Sequence, residues 1–247
     1  MQIEGVDYFE TYALVVQWST IRTLLTLILA NGWATKQIDY NNAFSQAELA
    51  EEIYVEPPKG FGGPDKLDKV IKFLKRLYGL KQAPKTFSDT LRAGLIERGF
   101  TLSNHYPCLF MKEDIMCVVY IDDSIIAGPD SKHIDESAKD LGVNTQDYIH
   151  NFQLRDEGEV GDFLGIRIEK TGKRQFDLTQ TELIDNVLKV SGMEESRPTN
   201  DPATESNLGT DKDEDTFTQS WKYATVVGIL MYLCRKTRPD IVFAVHQ

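Results

Sequence analysis

The run Cys117-Val118-Val119-Tyr120-Ile121-Asp122-Asp123-Ser124-Ile125-Ile126-Ala127 constrains this chain more than any other stretch. An apolar segment leads in, two adjacent carboxylates interrupt it, and a second apolar segment leads out. Short runs rich in Val and Ile read as strands, so the acidic pair between them predicts a tight hairpin. Neighbouring carboxylates at the tip of a buried hairpin repel each other and resist desolvation, and a divalent cation removes both costs. Asp-Asp is also ordinary turn chemistry, so the pair alone leaves both readings open.

A third carboxylate, Asp39, ends the strand-like segment Lys36-Gln37-Ile38-Asp39 and lies 83 residues ahead of Asp122. Only a folded sheet could bring the two together. At 247 residues and 41% hydrophobic content, the chain can bury a core as one large domain or two small ones. No apolar run approaches the roughly 20 residues that span a bilayer. The most apolar helix candidate, residues 21–30, is too short, and Arg22 interrupts its start. Glu4, Asp7 and Glu10 stand where a signal peptide carries basic residues. Cys108, Cys117 and Cys234 follow no metal or disulfide spacing and read as reduced, intracellular and mostly core. His105, His133, His150 and His246 are scattered, which argues against zinc.

The net charge of −11 argues on average against a nucleic-acid binder. The charge is uneven, however. Residues 59–98 hold ten Lys or Arg against four Asp or Glu, and residues 194–215 hold eight acids against two bases. A basic segment beside an acidic one is compatible with local template contacts and equally with a solvated lysine face.

In chain order, Ser19 or Thr20 is placed to cap a helix to about Ala30, ended by Asn31-Gly32. A strand over 37–40 and a short helix over 42–49 follow. Residues 53–55 read as a strand, and the Pro and Gly residues from 57 to 64 force a loop. Helix and strand are nearly tied over 69–77. Pro84 suits the first turn of a helix carrying Phe87, Leu91 and Leu95, closed by Gly99. Leu109-Phe110 starts a strand toward the central hairpin. Ser131 caps a helix to Gly142, and residues 148–154 form a second amphipathic piece. Residues 163–169 and 175–178 make a hairpin. Thr179-Gln180-Thr181-Glu182 is a capping box for a helix through Val190. Residues 194–217 read as a linker, followed by a helix through Leu233 and another opened by Pro239.

Five blocks in this order carry a resemblance. Asp39-Tyr40-Asn41-Asn42-Ala43-Phe44 has the form D-x-x-x-A-F, and Tyr120-Ile121-Asp122-Asp123 the form Y-x-D-D. With them stand Leu77-Tyr78-Gly79-Leu80-Lys81-Gln82-Ala83-Pro84, Asp162-Phe163-Leu164-Gly165-Ile166 and Thr237-Arg238-Pro239-Asp240-Ile241. The chain resembles the reverse transcriptases (RNA-directed DNA polymerases) of copia-type LTR retrotransposons, over nearly its whole length.

That resemblance implies an α+β fold, a palm of antiparallel sheet backed by helices, with partial fingers and the start of the thumb. Residues 1–35 would be a fingers-side remnant and 36–177 the palm with an interleaved fingers segment. Residues 178–215 would carry a thumb helix and the acidic linker, and 216–247 the truncated start of a connection region. It implies two-metal nucleotidyl transfer with Mg²⁺ as two ions, Mn²⁺ being able to substitute. Asp39 and Asp122 would bridge the metals, with Asp123 more peripheral because successive strand residues face opposite ways. Phe44 would pack under the sugar, though a core phenylalanine reads equally well. Lys81 would contact phosphate, Gln82 a base or sugar, with Tyr120 also on the substrate side. Phe163, Leu164 and Gly165 would support the primer strand. Implied partners are an RNA or DNA template with primer, deoxynucleoside triphosphates, and RNase H and integrase parts of a polyprotein, in a cytoplasmic particle or the nucleus and without a membrane.

The family's motif A reads D-V-K-x-A-F-L-x-G, whereas Asn41, Ser45 and Ala47 replace its lysine, leucine and glycine here. A basic fingers hairpin expected upstream has no match, as in a truncated reading frame or isolated fragment. Two rivals accompany the polymerase reading: a catalytically silent remnant of the same fold, and a nucleic-acid-binding module working through the basic 59–98 face. A palm-fold nucleotidyl cyclase is disfavoured, since its acidic hairpin would be glycine-rich.

Overall fold

In the computed structural model, which describes residues 2–13, 15–58, 69–142, 148–203 and 221–247, helix α1 (Trp18–Asn31) buries Ile21, Leu24, Leu25 and Ile28 at helical spacing. Gly32, with φ of 67°, ends it in the left-handed conformation that glycine adopts most readily. The helix starts at Trp18 after an extended Gln17 with no side-chain cap, not at a Ser19 or Thr20 cap. The chain then forms β1 (Ala34–Tyr40), α2 (Ala43–Gln46), β2 (Tyr54–Val55) and β3 (Ile71–Lys72). Next come α3 (Ala83–Glu97), β4 (Thr101–Leu102), β5 (Leu109–Lys112), β6 (Ile115–Tyr120) and β7 (Asp123–Gly128). Helix α4 (Ser131–Gly142) and β8 (Leu154–Gly158) complete the first of two compact units, Met1–Val160.

The main sheet of this unit has the order β4-β5-β6-β7-β1-β8. Every pairing in it is antiparallel. The pleat divides its two faces. Ile38 and Tyr40 of β1 join Cys117, Val119 and Ile126 in a core with Phe87, Leu91 and Leu95 of α3 and Ile134, Ala138 and Leu141 of α4. Tyr40, Phe87 and Phe152 meet edge to face at centroid distances of 5.6–6.3 Å. Gly94 lets α3 approach Phe152, since a Cβ there would stand 2.5 Å from the ring. The other face carries Gln37 and Asp39, with Val118 and Ile125 also buried outside that core. Helix α1 contacts β7.

The short helix expected over 42–49 forms only as α2, and the tied stretch 69–77 yields the two-residue β3. Residues 149–153 are not helical. They lead into β8, which pairs with β1 through a bulge and follows no hydrophobic alternation. Residues 59–64 of the loop expected over 57–64, and residues 204–217 of the expected linker, lie outside the described residues.

The second unit, Gly161–Gln247, holds β9 (Asp162–Phe163), β10 (Ile166–Gly172) and β11 (Gln175–Thr179) in one antiparallel sheet. The strand expected to run unbroken through 163–169 turns back at Leu164 and Gly165, with φ of 54° and 67°. Helices α5 (Thr181–Ser191), α6 (Tyr223–Lys236) and α7 (Val242–His246) follow, with a 3-10 turn at Pro239–Ile241. The Thr179 capping box does not form: Gln180 precedes α5 without a side-chain cap. Among the described residues, no helix is long and apolar enough to cross a membrane.

Candidate active site

The hairpin turns at Ile121 and Asp122, with Tyr120 paired to Asp123. Ile121 adopts a φ of 50°, an unusual state for a β-branched residue that costs on the order of 1–3 kcal/mol. On the next strand, Asp39 lies opposite Asp123, and on the strand beyond, Arg155 lies opposite Asp39. Directly opposed residues of an antiparallel ladder share a face. Tyr120, Asp123, Asp39 and Arg155 therefore form one row across four strands. Asp122, at the turn, accepts a hydrogen bond on its backbone oxygen from the Tyr40 N–H at 2.9 Å. Its Oδ2 accepts another from the Tyr78 hydroxyl at 3.2 Å.

Electrostatics follow from that row. Burial, then the charges of Asp122, Asp39 and Glu157, push the Asp123 carboxyl up to about 6. Burial also raises Asp39; Arg155 pulls it back down, while Glu157 and Asp122 push it up. An Arg155 guanidinium nitrogen stands 4.0 Å from Asp39 Oδ2. Glu157 accepts a hydrogen bond from Gln37 at 2.8 Å and pairs with Arg155. Among the described residues, Asp39, Asp122, Asp123 and Glu157 thus share one corner with Arg155. Asp123, expected to be peripheral, is the acid directly across from Asp39.

An all-oxygen cluster with excess negative charge fits a hard divalent cation. Among the described residues, no group of three or more acid, His or Cys side chains is preassembled as a metal cage. Asp39, Asp122 and Asp123 could supply part of a coordination sphere. Magnesium characteristically leaves the rest to water and substrate phosphate.

Phe44 is buried in the core, 4.3 Å from the Tyr78 ring between centroids and 6.4 Å from that of Phe87. Gln82 is buried and donates to the Asp7 carbonyl at 2.9 Å while accepting from Gln2 at 3.0 Å. Lys81 donates to the Tyr8 hydroxyl at 3.0 Å, and its ammonium lies 4.7 Å from the centre of that ring. Both side chains thus engage residues 2–8. Phe163, Leu164 and Gly165 belong to the second unit, where the Leu164 carbonyl accepts from the Tyr232 hydroxyl at 2.7 Å. Of the described cations in 69–98, Arg76 and Arg98 are buried, while Lys72 and Lys85 pair with Glu52 and with Glu10 and Asp89. The basic stretch is therefore partly neutralised.

Sequence reasoning overlooked Arg155 and Glu157 because β8, with its sequence Leu-Arg-Asp-Glu-Gly, shows no apolar period. It also gave Tyr78 no role of its own, although that residue lies in a quoted block.

Comparison with known proteins places this antiparallel-sheet unit and its acidic corner in a known family. The family described as reverse transcriptase (RNA-dependent DNA polymerase) matches residues 1–205, and the chain belongs to it. It is 33% identical to the retrovirus-related Pol polyprotein from transposon RE1 of Arabidopsis thaliana, over all of this chain and 16% of that protein. The corresponding polyprotein from transposon TNT 1-94 of Nicotiana tabacum is 31% identical, over 99% of this chain and 19% of its own length. The putative transposon Ty5-1 protein of Saccharomyces cerevisiae is 27% identical, over 84% of this chain and 67% of its length. The chain spans less than a fifth of the two plant polyproteins. The copia-type resemblance read from the five blocks stands.

Proposed function

We propose that the chain extends a primer on an RNA template, as the catalytic part of a retrotransposon Pol polyprotein. The observation that carries this reading is the convergence of Asp39, Asp122 and Asp123, from β1 and the hairpin, inside a chain of reverse transcriptase family. On this reading the 36–177 stretch serves as the palm, 1–35 as fingers-side chain, 178–215 as thumb and linker, and 216–247 as the start of a connection region.

Asp39, Asp122 and Asp123 would hold Mg²⁺ as two ions, or Mn²⁺ in their place. Metals held there would supply charge neutralisation for an in-line displacement. The chain's own residues supply position. The ladder between β1 and β7 fixes Asp39 against Asp123, and the Tyr40 N–H fixes the backbone of Asp122. Phe44 forms the floor beneath the sugar, backed by Tyr78 and Phe87. Tyr120 lies in the carboxylate row, facing the substrate. Lys81 and Gln82 act through their grip on residues 2–8, which secures the start of α3. Phe163, Leu164 and Gly165 support the primer, their backbone turned by two left-handed residues. Template, primer and deoxynucleoside triphosphates are the substrates. RNase H and integrase parts of a polyprotein are the partners, inside a cytoplasmic particle or the nucleus.

Primer extension on an RNA template with Mg²⁺ or Mn²⁺ tests this. Extension by the chain that Asp122→Asn abolishes supports it. Extension that persists in Asp122→Asn contradicts it. No extension by the unsubstituted chain, with Mn²⁺ binding that still depends on Asp122, identifies a silent enzyme of the same fold.

A further inference from the structure

Tyr78 is 57% exposed, yet its surroundings are built to aim it. It occupies the corner of a turn over 77–80, closed by a hydrogen bond from the Leu80 N–H to the Leu77 carbonyl at 3.3 Å. Gly79 follows it with φ of 100°, the state that a type II turn demands at that position. Both flanks are anchored. Arg76 is buried and donates to the Glu48 carbonyl at 2.7 Å and to Glu51 at 3.0 Å, while Leu80 is buried in the core. The ring of Tyr78 leans on Phe44. Its hydroxyl donates to Asp122 Oδ2.

Packing against Phe44 needs only the ring; a phenylalanine would supply it. The hydroxyl has a separate use. One hydrogen bond occupies a single lone pair of Oδ2 and leaves Oδ1 and the remaining lone pairs of Asp122 open. A donor held in this way orients a ligating carboxylate without competing for the metal. We propose that Tyr78 is a positioning residue, whose hydroxyl sets the Asp122 carboxylate in the orientation that receives the divalent ion. The proposal rests on the polymerase reading above, because it requires Asp122 to be a metal ligand.

The test is Mn²⁺ titration of the full chain by electron paramagnetic resonance, without nucleotide, alongside thermal melting. Tyr78→Phe keeps the ring and removes only the hydroxyl. It is expected to weaken Mn²⁺ binding about tenfold, the size found for outer-shell partners of metal ligands, with the melting temperature unchanged. A merely structural tyrosine would shift melting and leave affinity alone. Unchanged or tighter Mn²⁺ binding in Tyr78→Phe overturns the proposal. Asp122→Asn separates the two levels: wild-type affinity there removes Asp122 as a ligand, which overturns the metal reading and the proposal together. Affinity lost in Asp122→Asn but kept in Tyr78→Phe overturns the proposal alone.

Discussion

Asp123→Asn should stabilise the metal-free protein near neutral pH. The change keeps the side-chain shape and removes a charge that the site opposes. Burial and the neighbouring Asp122, Asp39 and Glu157 lift the Asp123 carboxyl from the ordinary 3.8 to about 6. That rise corresponds to about 3 kcal/mol between the two protonation states. Asp123 is only partly buried, so solvent screening reduces the figure to about 1–2 kcal/mol. The sign follows from proton linkage. Between the unfolded and folded values the native state binds more protons, so ionisation of Asp123 costs stability as pH rises. The cost is absent below about pH 4 and complete above about pH 6. Urea denaturation at pH 7.5 without divalent ions should therefore show a gain of about 1–2 kcal/mol in Asp123→Asn, falling to about a third of that at pH 4.5. Saturating Mn²⁺ should shrink the gain, because the wild-type native state, with all three carboxylates, would bind the ion more tightly and recover more stability. A lower midpoint for the variant at pH 7.5, or a gain that grows toward acid, would refute the reasoning.

Two further substitutions probe the corner and its support. Arg155→Gln removes the positive charge 4.0 Å from Asp39; Arg155 is mostly exposed, so the interaction is about 1 kcal/mol in a water-like dielectric. Mn²⁺ binding without nucleotide should tighten about fivefold, read by electron paramagnetic resonance, and weaker binding would mean that the acids do not receive a cation. Gly94→Ala places a methyl 2.5 Å from the buried Phe152 ring, which is held edge to face by Tyr40 and Phe87. Overpacking of that kind costs about 1–3 kcal/mol in urea denaturation, and pairing it with Phe152→Leu should recover part of the loss.

What could be read without coordinates was whatever carries a short-range signal. The central hairpin follows from two Val- and Ile-rich runs around an acidic pair, and α3 from Phe87, Leu91 and Leu95 at helical spacing. The three aspartates were found because the motif residues name them. Their company was not. β8 is polar along its exposed length, so neither its strand nor the arrival of Arg155 and Glu157 beside Asp39 has any local signature. Such pairing is decided by β1, more than a hundred residues away. Gln82 and Lys81 show what a motif leaves out. The resemblance implies substrate contacts for them, and it carries no sign of the hydrogen bonds they make to Gln2, Asp7 and Tyr8. The break at Leu164 was hidden because a leucine at positive φ is a tertiary outcome that propensity does not foresee. Tyr78 was missed for a similar reason, since its direction depends on Gly79 and on anchors far along the chain.

The most direct test is to locate the ion itself. A crystal of the chain grown with Mn²⁺ and a deoxynucleoside triphosphate, measured at the manganese absorption edge, would show where manganese scatters. The account predicts anomalous peaks at oxygen-ligand distance, roughly 2.0–2.2 Å, from Asp39 and from the Asp122-Asp123 pair, with the nucleotide phosphates completing the sphere. Manganese bound elsewhere, with these three carboxylates left unligated, would contradict it.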